Sequence, residues 1–159
     1  MNIPDVNNIL KIFNSRDWSK YYEYQNIYDV KKNIWFKINK TKEFDFVKDI
    51  IQSEIKKINS KYIISDWITF LIYEKGDFFA EHSDGPSYSS KDNKTILSAG
   101  YLLNTDYEGG DFIINGKKLN VNVGELFYFG RDVLHEVTEV KSGIRYSLHF
   151  AIDTEKDIL

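Results

Sequence analysis

The run Gly143-Ile144-Arg145-Tyr146-Ser147-Leu148-His149-Phe150 alternates polar with apolar side chains. Successive side chains of an extended strand point to opposite faces. Ile144, Tyr146, Leu148 and Phe150 therefore belong to a core, and Arg145, Ser147 and His149 to the other face. A helix would scatter both sets around its circumference. Upstream, the same β-branched and aromatic character recurs in short runs: Tyr62–Tyr73, Phe78–His82, Thr95–Leu103, Asp111–Ile114, Lys118–Val121, Glu125–Phe129 and His135–Val140. Turn signals separate many of them, at Gly109-Gly110, Asn115-Gly116, Gly124, Gly130 and Ser142-Gly143. The polar segment Ser83–Lys94, with Gly85-Pro86, reads as a surface loop placed to act as a lid.

Before residue 60 the period changes. Pro4 followed by Val6, Ile9, Leu10, Ile12 and Phe13 predicts a short amphipathic helix with proline in its first turn. Thr41 is the expected N-cap of a second helix, in which Phe44, Val47, Ile50, Ile51, Ile55 and Ile58 recur at helical spacing to about Asn59. The aromatic stretch from Tyr21 to Ile38 alternates only in part and matches neither period firmly. Helices first and about eight short strands after predict an α+β chain whose sheet closes as a sandwich or barrel. The expected organisation is one domain over 1–159, with helical support over 1–60 and the strand core over 61–159.

Composition narrows the chemistry. The 159 residues are 42% hydrophobic and carry a net charge of −3, which suits a globular domain and disfavours a nucleic-acid surface. The N-terminus lacks a secretory pattern, and no apolar run reaches the roughly 20 residues of a membrane helix, so a cytoplasmic location is expected. Cysteine is absent, which excludes disulfides and thiolate metal sites. Only imidazole and carboxylate remain as strong metal donors, and there are just three histidines, His82, His135 and His149. In His82-Ser83-Asp84 an extended backbone turns both donors to one face. With His135 they make up the two-histidine, one-carboxylate set of non-haem Fe(II) oxygenases, which leaves coordination positions open. Alone, such a triplet is also what a solvated surface pair plus a stray histidine looks like. Likewise, Arg145 could grip a carboxylate by its guanidinium fork, or pair with an acid at a strand edge.

The neighbouring residues carry a resemblance. Tyr73-Glu74-Lys75-Gly76-Asp77-Phe78-Phe79-Ala80-Glu81-His82-Ser83-Asp84 resembles the first iron-ligand stretch of prolyl-hydroxylase-like 2-oxoglutarate and Fe(II)-dependent oxygenases. Tyr101–Asn104 and Tyr107-Glu108-Gly109-Gly110-Asp111-Phe112 are similar to the family's strand and Gly-Gly turn. Gly124–Phe129, His135-Glu136-Val137 and Gly143–Ser147 are similar to its closing half. The match runs from Tyr73 to Ile152.

The resemblance implies a double-stranded β-helix, or jelly roll, with supporting N-terminal helices. It implies His82, Asp84 and His135 as Fe(II) ligands and catalytic centre, and Arg145 on the distal carboxylate of 2-oxoglutarate. Tyr73 and Ser147 would assist at the co-substrate. The implied reaction consumes O2 and 2-oxoglutarate, releases succinate and CO2, and hydroxylates an unactivated C–H bond, with ascorbate as an accessory reductant. Where some relatives carry a second tyrosine, this chain has Leu102. His149 is expected to be structural. The family-level substrate is a prolyl residue in a peptide or protein. The alternatives are a free amino acid or small molecule, or a jelly-roll binding module without catalysis. Neither nucleic acid nor membrane is an expected partner.

Overall fold

The computed structural model describes residues 1–26, 31–38, 41–85 and 94–154. Helix α1 (Ile3–Asn14) starts at a capping box: Asn2 accepts from the Asp5 N–H, and the Asp5 carboxylate accepts from the Asn2 N–H. Strands β1 (Glu23–Asn26) and β2 (Lys31–Lys37) follow, then a 3-10 turn (Lys42–Phe44) and helix α2 (Asp45–Ile58). The remaining strands are β3 (Tyr62–Tyr73), β4 (Phe78–His82), β5 (Lys94–Leu102), β6 (Tyr107–Gly109), β7 (Phe112–Ile114), β8 (Lys117–Lys118), β9 (Leu126–Gly130), β10 (His135–Val137), β11 (Val140–Gly143) and β12 (Arg145–Thr154). Among the described residues no helix is long and apolar enough to cross a membrane.

Five local expectations need correction. Ile144 is 39% exposed rather than core, and the expected strand Lys118–Val121 shrinks to Lys117–Lys118. Thr41 does not cap α2: its hydroxyl donates to the Ile38 carbonyl, and the helix proper begins four residues later, after the 3-10 turn. The expected strand His135–Val140 is two strands. The chain leaves β10 at Thr138, where it exchanges bonds with Asp111, and β11 then pairs with β6 instead. Residues 1–60 are not helical support alone, because β2 is a full member of the main sheet between β4 and β3. The expected lid, Ser83–Lys94, falls largely on residues 86–93, outside the described residues.

The main sheet runs β8-β7-β10-β4-β2-β3-β12-β5-β9, with β1 on β2. Its two ends face each other. Phe112 of β7 lies 5.1 Å from Phe127 of β9, and Phe129 of β9 lies 4.6 Å from His135 of β10, ring centre to ring centre. The sheet is thus rolled around an interior, as in a jelly roll.

Alternation along β3 and β12 divides the molecule. Ile68, Phe70, Ile72, Leu148, Phe150 and Ile152 are buried on the outer face, where the helices cover them. Phe13 of α1 stacks on Phe70 at 4.7 Å, Phe70 lies 5.2 Å from Phe36 of β2, and Trp18 stacks on Phe36. Each such ring adds roughly 1.5–3 kcal/mol by leaving water. The odd-numbered residues of the same strands face the interior: Thr69, Leu71 and Tyr73 from β3, Arg145, Ser147 and His149 from β12.

Candidate metal centre and co-substrate pocket

Antiparallel pairing of β4 with β10 sets His82 opposite His135, with ring centres 4.2 Å apart. Asp84, two residues beyond His82, brings Oδ1 to 3.5 Å from His82 Nε2 and 3.3 Å from His135 Nε2. The three donor atoms lie within 4.8 Å of one another. Each imidazole is tied from behind. His82 Nδ1 meets the Ala80 carbonyl at 2.8 Å and His135 Nδ1 meets that of Val133 at 2.9 Å. A carbonyl only accepts, so both Nδ1 atoms carry the proton and both Nε2 atoms are directed at Asp84. Outer hydrogen bonds of this kind fix the tautomer that metal ligation requires. Phe79 stacks flat on His82 at 3.7 Å and adds a second restraint on its ring.

Electrostatics agree with the geometry. Burial alone would raise the Asp84 pKa, but bonds from His135 and His82, the charge of His149 and the Ser98 hydroxyl outweigh it and hold the carboxyl well below the usual range. For His135, burial works downward, and the bond to Asp84 with that to Val133 overcomes it, so its pKa is raised. Two imidazole nitrogens and one carboxylate oxygen, with a cavity on their open side, fit Fe(II) of the facial-triad type. The cavity has a volume of about 390 Å³ and is walled by Trp35, Trp67, Leu71, Phe79, Phe112 and Val137. Lys37 also lines it, with its ammonium 4.4 Å above the Trp67 ring.

Arg145 lines a second cavity of about 400 Å³, which shares Phe112 with the first. The arginine is 4% exposed. Its Nε donates to the Gly110 carbonyl at 3.0 Å, its Nη1 to the Ser147 hydroxyl at 3.1 Å, and the guanidinium sits 5.5 Å over the Tyr73 ring. Among the described residues no carboxylate pairs with it. A buried cation without a buried anion fits an anionic ligand. Leu102 lines this second cavity together with Tyr107 and Thr105.

The fold therefore brings His82, Asp84, His135 and Tyr73 to one cavity and Arg145 to the adjoining one, with Ser147 bonded to Arg145. Three residues escape a reading of the sequence. Ser98 is fully buried on β5 and donates to Asp84 Oδ2; Arg131, which has no evident role in the sequence, donates to Ser98. His149 stands at the cavity wall, its Nε2 3.8 Å from Asp84 Oδ2, outside the group of three donors. Only its place on the polar face of β12 signals this.

A rolled β-sheet with two imidazoles and one carboxylate converging on an interior cavity defines the class: a jelly roll with a candidate mononuclear non-haem metal centre. Residues 56–152, well over half of the chain, match the 2OG-Fe(II) oxygenase superfamily, and the chain belongs to that superfamily. A PKHD-type hydroxylase of Prochlorococcus marinus is 31% identical over 71 residues, which is 42% of this chain and 32% of that protein. The chain spans about a third or less of the length of the curated relatives it matches. Among solved structures, a Pseudomonas putida prolyl-4-hydroxylase superposes with a TM-score of 0.71 at 18% identity, over 99% of this chain and 89% of that one. A non-haem alpha-ketoglutarate-dependent carbocyclase from nogalamycin biosynthesis also gives 0.71, at 10% identity, over 99% and 77%. At these identities the two structures establish the shared fold.

Proposed function

We propose that this chain is a 2-oxoglutarate-dependent dioxygenase that hydroxylates a prolyl residue in a peptide or protein. The observation that carries the reading is the convergence of His82 Nε2, His135 Nε2 and Asp84 Oδ1 beside a buried arginine that meets no carboxylate among the described residues. His82, Asp84 and His135 would hold Fe(II), and Arg145, steadied by Ser147 and Gly110, would hold the distal carboxylate of 2-oxoglutarate. When bound, iron and 2-oxoglutarate supply oxidative decarboxylation with O2, yielding succinate, CO2 and one oxygen atom delivered to a substrate C–H bond.

The chain's own part is positioning. Tyr73, 1% exposed, lines the triad's cavity and faces Arg145 across the β3–β12 pair, which suits a contact with the co-substrate. Phe79, Phe112, Leu71 and Val137 keep water from the reacting centre. Trp35 and Trp67 offer flat apolar walls on which a pyrrolidine ring can pack. The likeness to prolyl hydroxylases supports the prolyl substrate. The likeness of equal TM-score to a carbocyclase, together with a cavity of small-ligand size, favours a free amino acid or other small molecule as the second reading.

The test is succinate release and a one-oxygen mass gain across proline-containing peptides and metabolites, with Fe(II), 2-oxoglutarate and ascorbate. Peptide oxidation that disappears in His82→Ala and His135→Ala is the expected result. Oxidation of metabolites alone would select the small-molecule reading. Failure of the wild-type chain to bind iron would overturn both in favour of a binding module.

A further inference from the structure

The two oxygens of Asp84 have different partners. Oδ1 faces the Nε2 atoms of His82 and His135, while Oδ2 accepts a hydrogen bond from Ser98 Oγ, with His149 Nε2 3.8 Å away. A hydroxyl has one proton to give, so the contact between Ser98 and Arg131 runs the other way: Arg131 Nη1 donates to Ser98 Oγ at 3.3 Å. Arg131 can only donate, and its buried Nε finds no partner among the described residues. Its charge is thus directed toward Asp84 through a single hydroxyl. A second tie joins the same segments, for the Gly85 N–H donates to the Arg131 carbonyl at 3.1 Å. Two residues on, the Val133 carbonyl holds His135 Nδ1. The turn from Gly130 to Val133 therefore orients two members of the triad.

A carboxylate can ligate through one oxygen or two, and the second mode would occupy a position that a bidentate co-substrate or dioxygen needs. The hydrogen bond that Ser98 donates to Oδ2 removes that oxygen from competition. The neighbouring cation polarises the hydroxyl and strengthens its bond to the anion. We propose that Ser98 and Arg131 are positioning residues that fix Asp84 as a one-oxygen metal ligand and keep the open face of the centre open. The proposal rests on the reading of His82, Asp84 and His135 as ligands.

Cobalt(II) is the probe, because its visible spectrum reports coordination and its binding can be followed without turnover. Wild type, Ser98→Ala, Arg131→Met, Arg131→Lys and His82→Ala are titrated against a chromophoric chelator, and thermal unfolding confirms that each is folded. Ser98→Ala is expected to weaken cobalt binding about 10–100-fold, the usual effect of an outer-shell partner, and to change the visible band as Oδ2 joins the metal. Arg131→Met moves both readouts in the same direction, and Arg131→Lys restores part of the loss. A folded Ser98→Ala with wild-type affinity and spectrum would overturn the positioning role while leaving the ligand assignment intact. If wild type binds no cobalt, or His82→Ala binds it as wild type does, the ligand assignment itself falls, and the positioning role with it.

Discussion

The Arg145 guanidinium donates one hydrogen bond to a backbone carbonyl and one to a hydroxyl, and it meets no carboxylate among the described residues. It keeps further N–H donors for a ligand. A planar fork matches a carboxylate with two parallel bonds, which a lysine ammonium cannot reproduce. If Arg145 is the co-substrate anchor, Arg145→Lys forfeits one charge-assisted bond, worth roughly 1.5–3 kcal/mol. The Kd for 2-oxoglutarate should then rise about 10–100-fold, while cobalt affinity stays at the wild-type value. Calorimetric titration of the metal-loaded protein under anaerobic conditions checks this. An unchanged affinity for 2-oxoglutarate would assign the arginine a purely structural role.

At the scale of elements, the Gly109-Gly110 turn sets the arginine in place. Gly110 adopts φ +61°, and a Cβ there would lie 3.0 Å from Arg145 Cδ and 3.0 Å from Val140 Cγ2. Gly110→Ala combines a strained backbone with a push on the side chain whose Nε it holds, at a cost of about 1–3 kcal/mol. Weaker 2-oxoglutarate binding and a lower Tm are expected together, the first measured by titration and the second by calorimetry. The turn was legible in sequence because glycine pairs are rarely placed without a backbone reason. Strands β3, β4 and β12 were legible for a different one: β12 alternates, β3 and β4 are β-branched or aromatic runs, and β3 and β4 end at a charged, glycine-containing break. Strands β1 and β2 were not. Their Lys31-Lys32-Asn33 start is polar, and only pairing with β3 and β4 makes it a strand. The same limit applies to the site. His82 and Asp84 share a face by their spacing, but Ser98 and Arg131 reach Asp84 across strands, 14 and then 33 residues away along the chain, where local period carries no information.

For the whole molecule, the triad couples folding to pH and to metal in opposite senses. The Asp84 carboxyl is depressed from its ordinary 3.8 and the His135 imidazole is raised from its ordinary 6.5. A depressed carboxyl stabilises the fold above its unfolded value, and that stabilisation is lost only as pH falls toward the native value. A raised imidazole stabilises the fold fully below 6.5, and that contribution fades as pH climbs through the native pKa. The metal-free protein should accordingly be most stable between about pH 4 and 6.5, with a Tm that declines toward pH 8. Metal needs the His135 imidazole neutral and displaces the proton it otherwise keeps, so its affinity rises over the range in which the metal-free Tm falls. At a hundredfold excess over Kd, a ligand specific for the folded state adds about 2.7 kcal/mol, or roughly 5–10 °C in Tm for a chain of this size. Melting curves with chelator and with cobalt(II), from pH 5.5 to 8, should therefore diverge as pH rises. Asp84→Asn should flatten the metal-free curve, since His135 then loses the partner that raises it. A metal-free Tm that climbs from pH 6 to 8 in the wild type would show that the imidazole is not held in its charged form by Asp84.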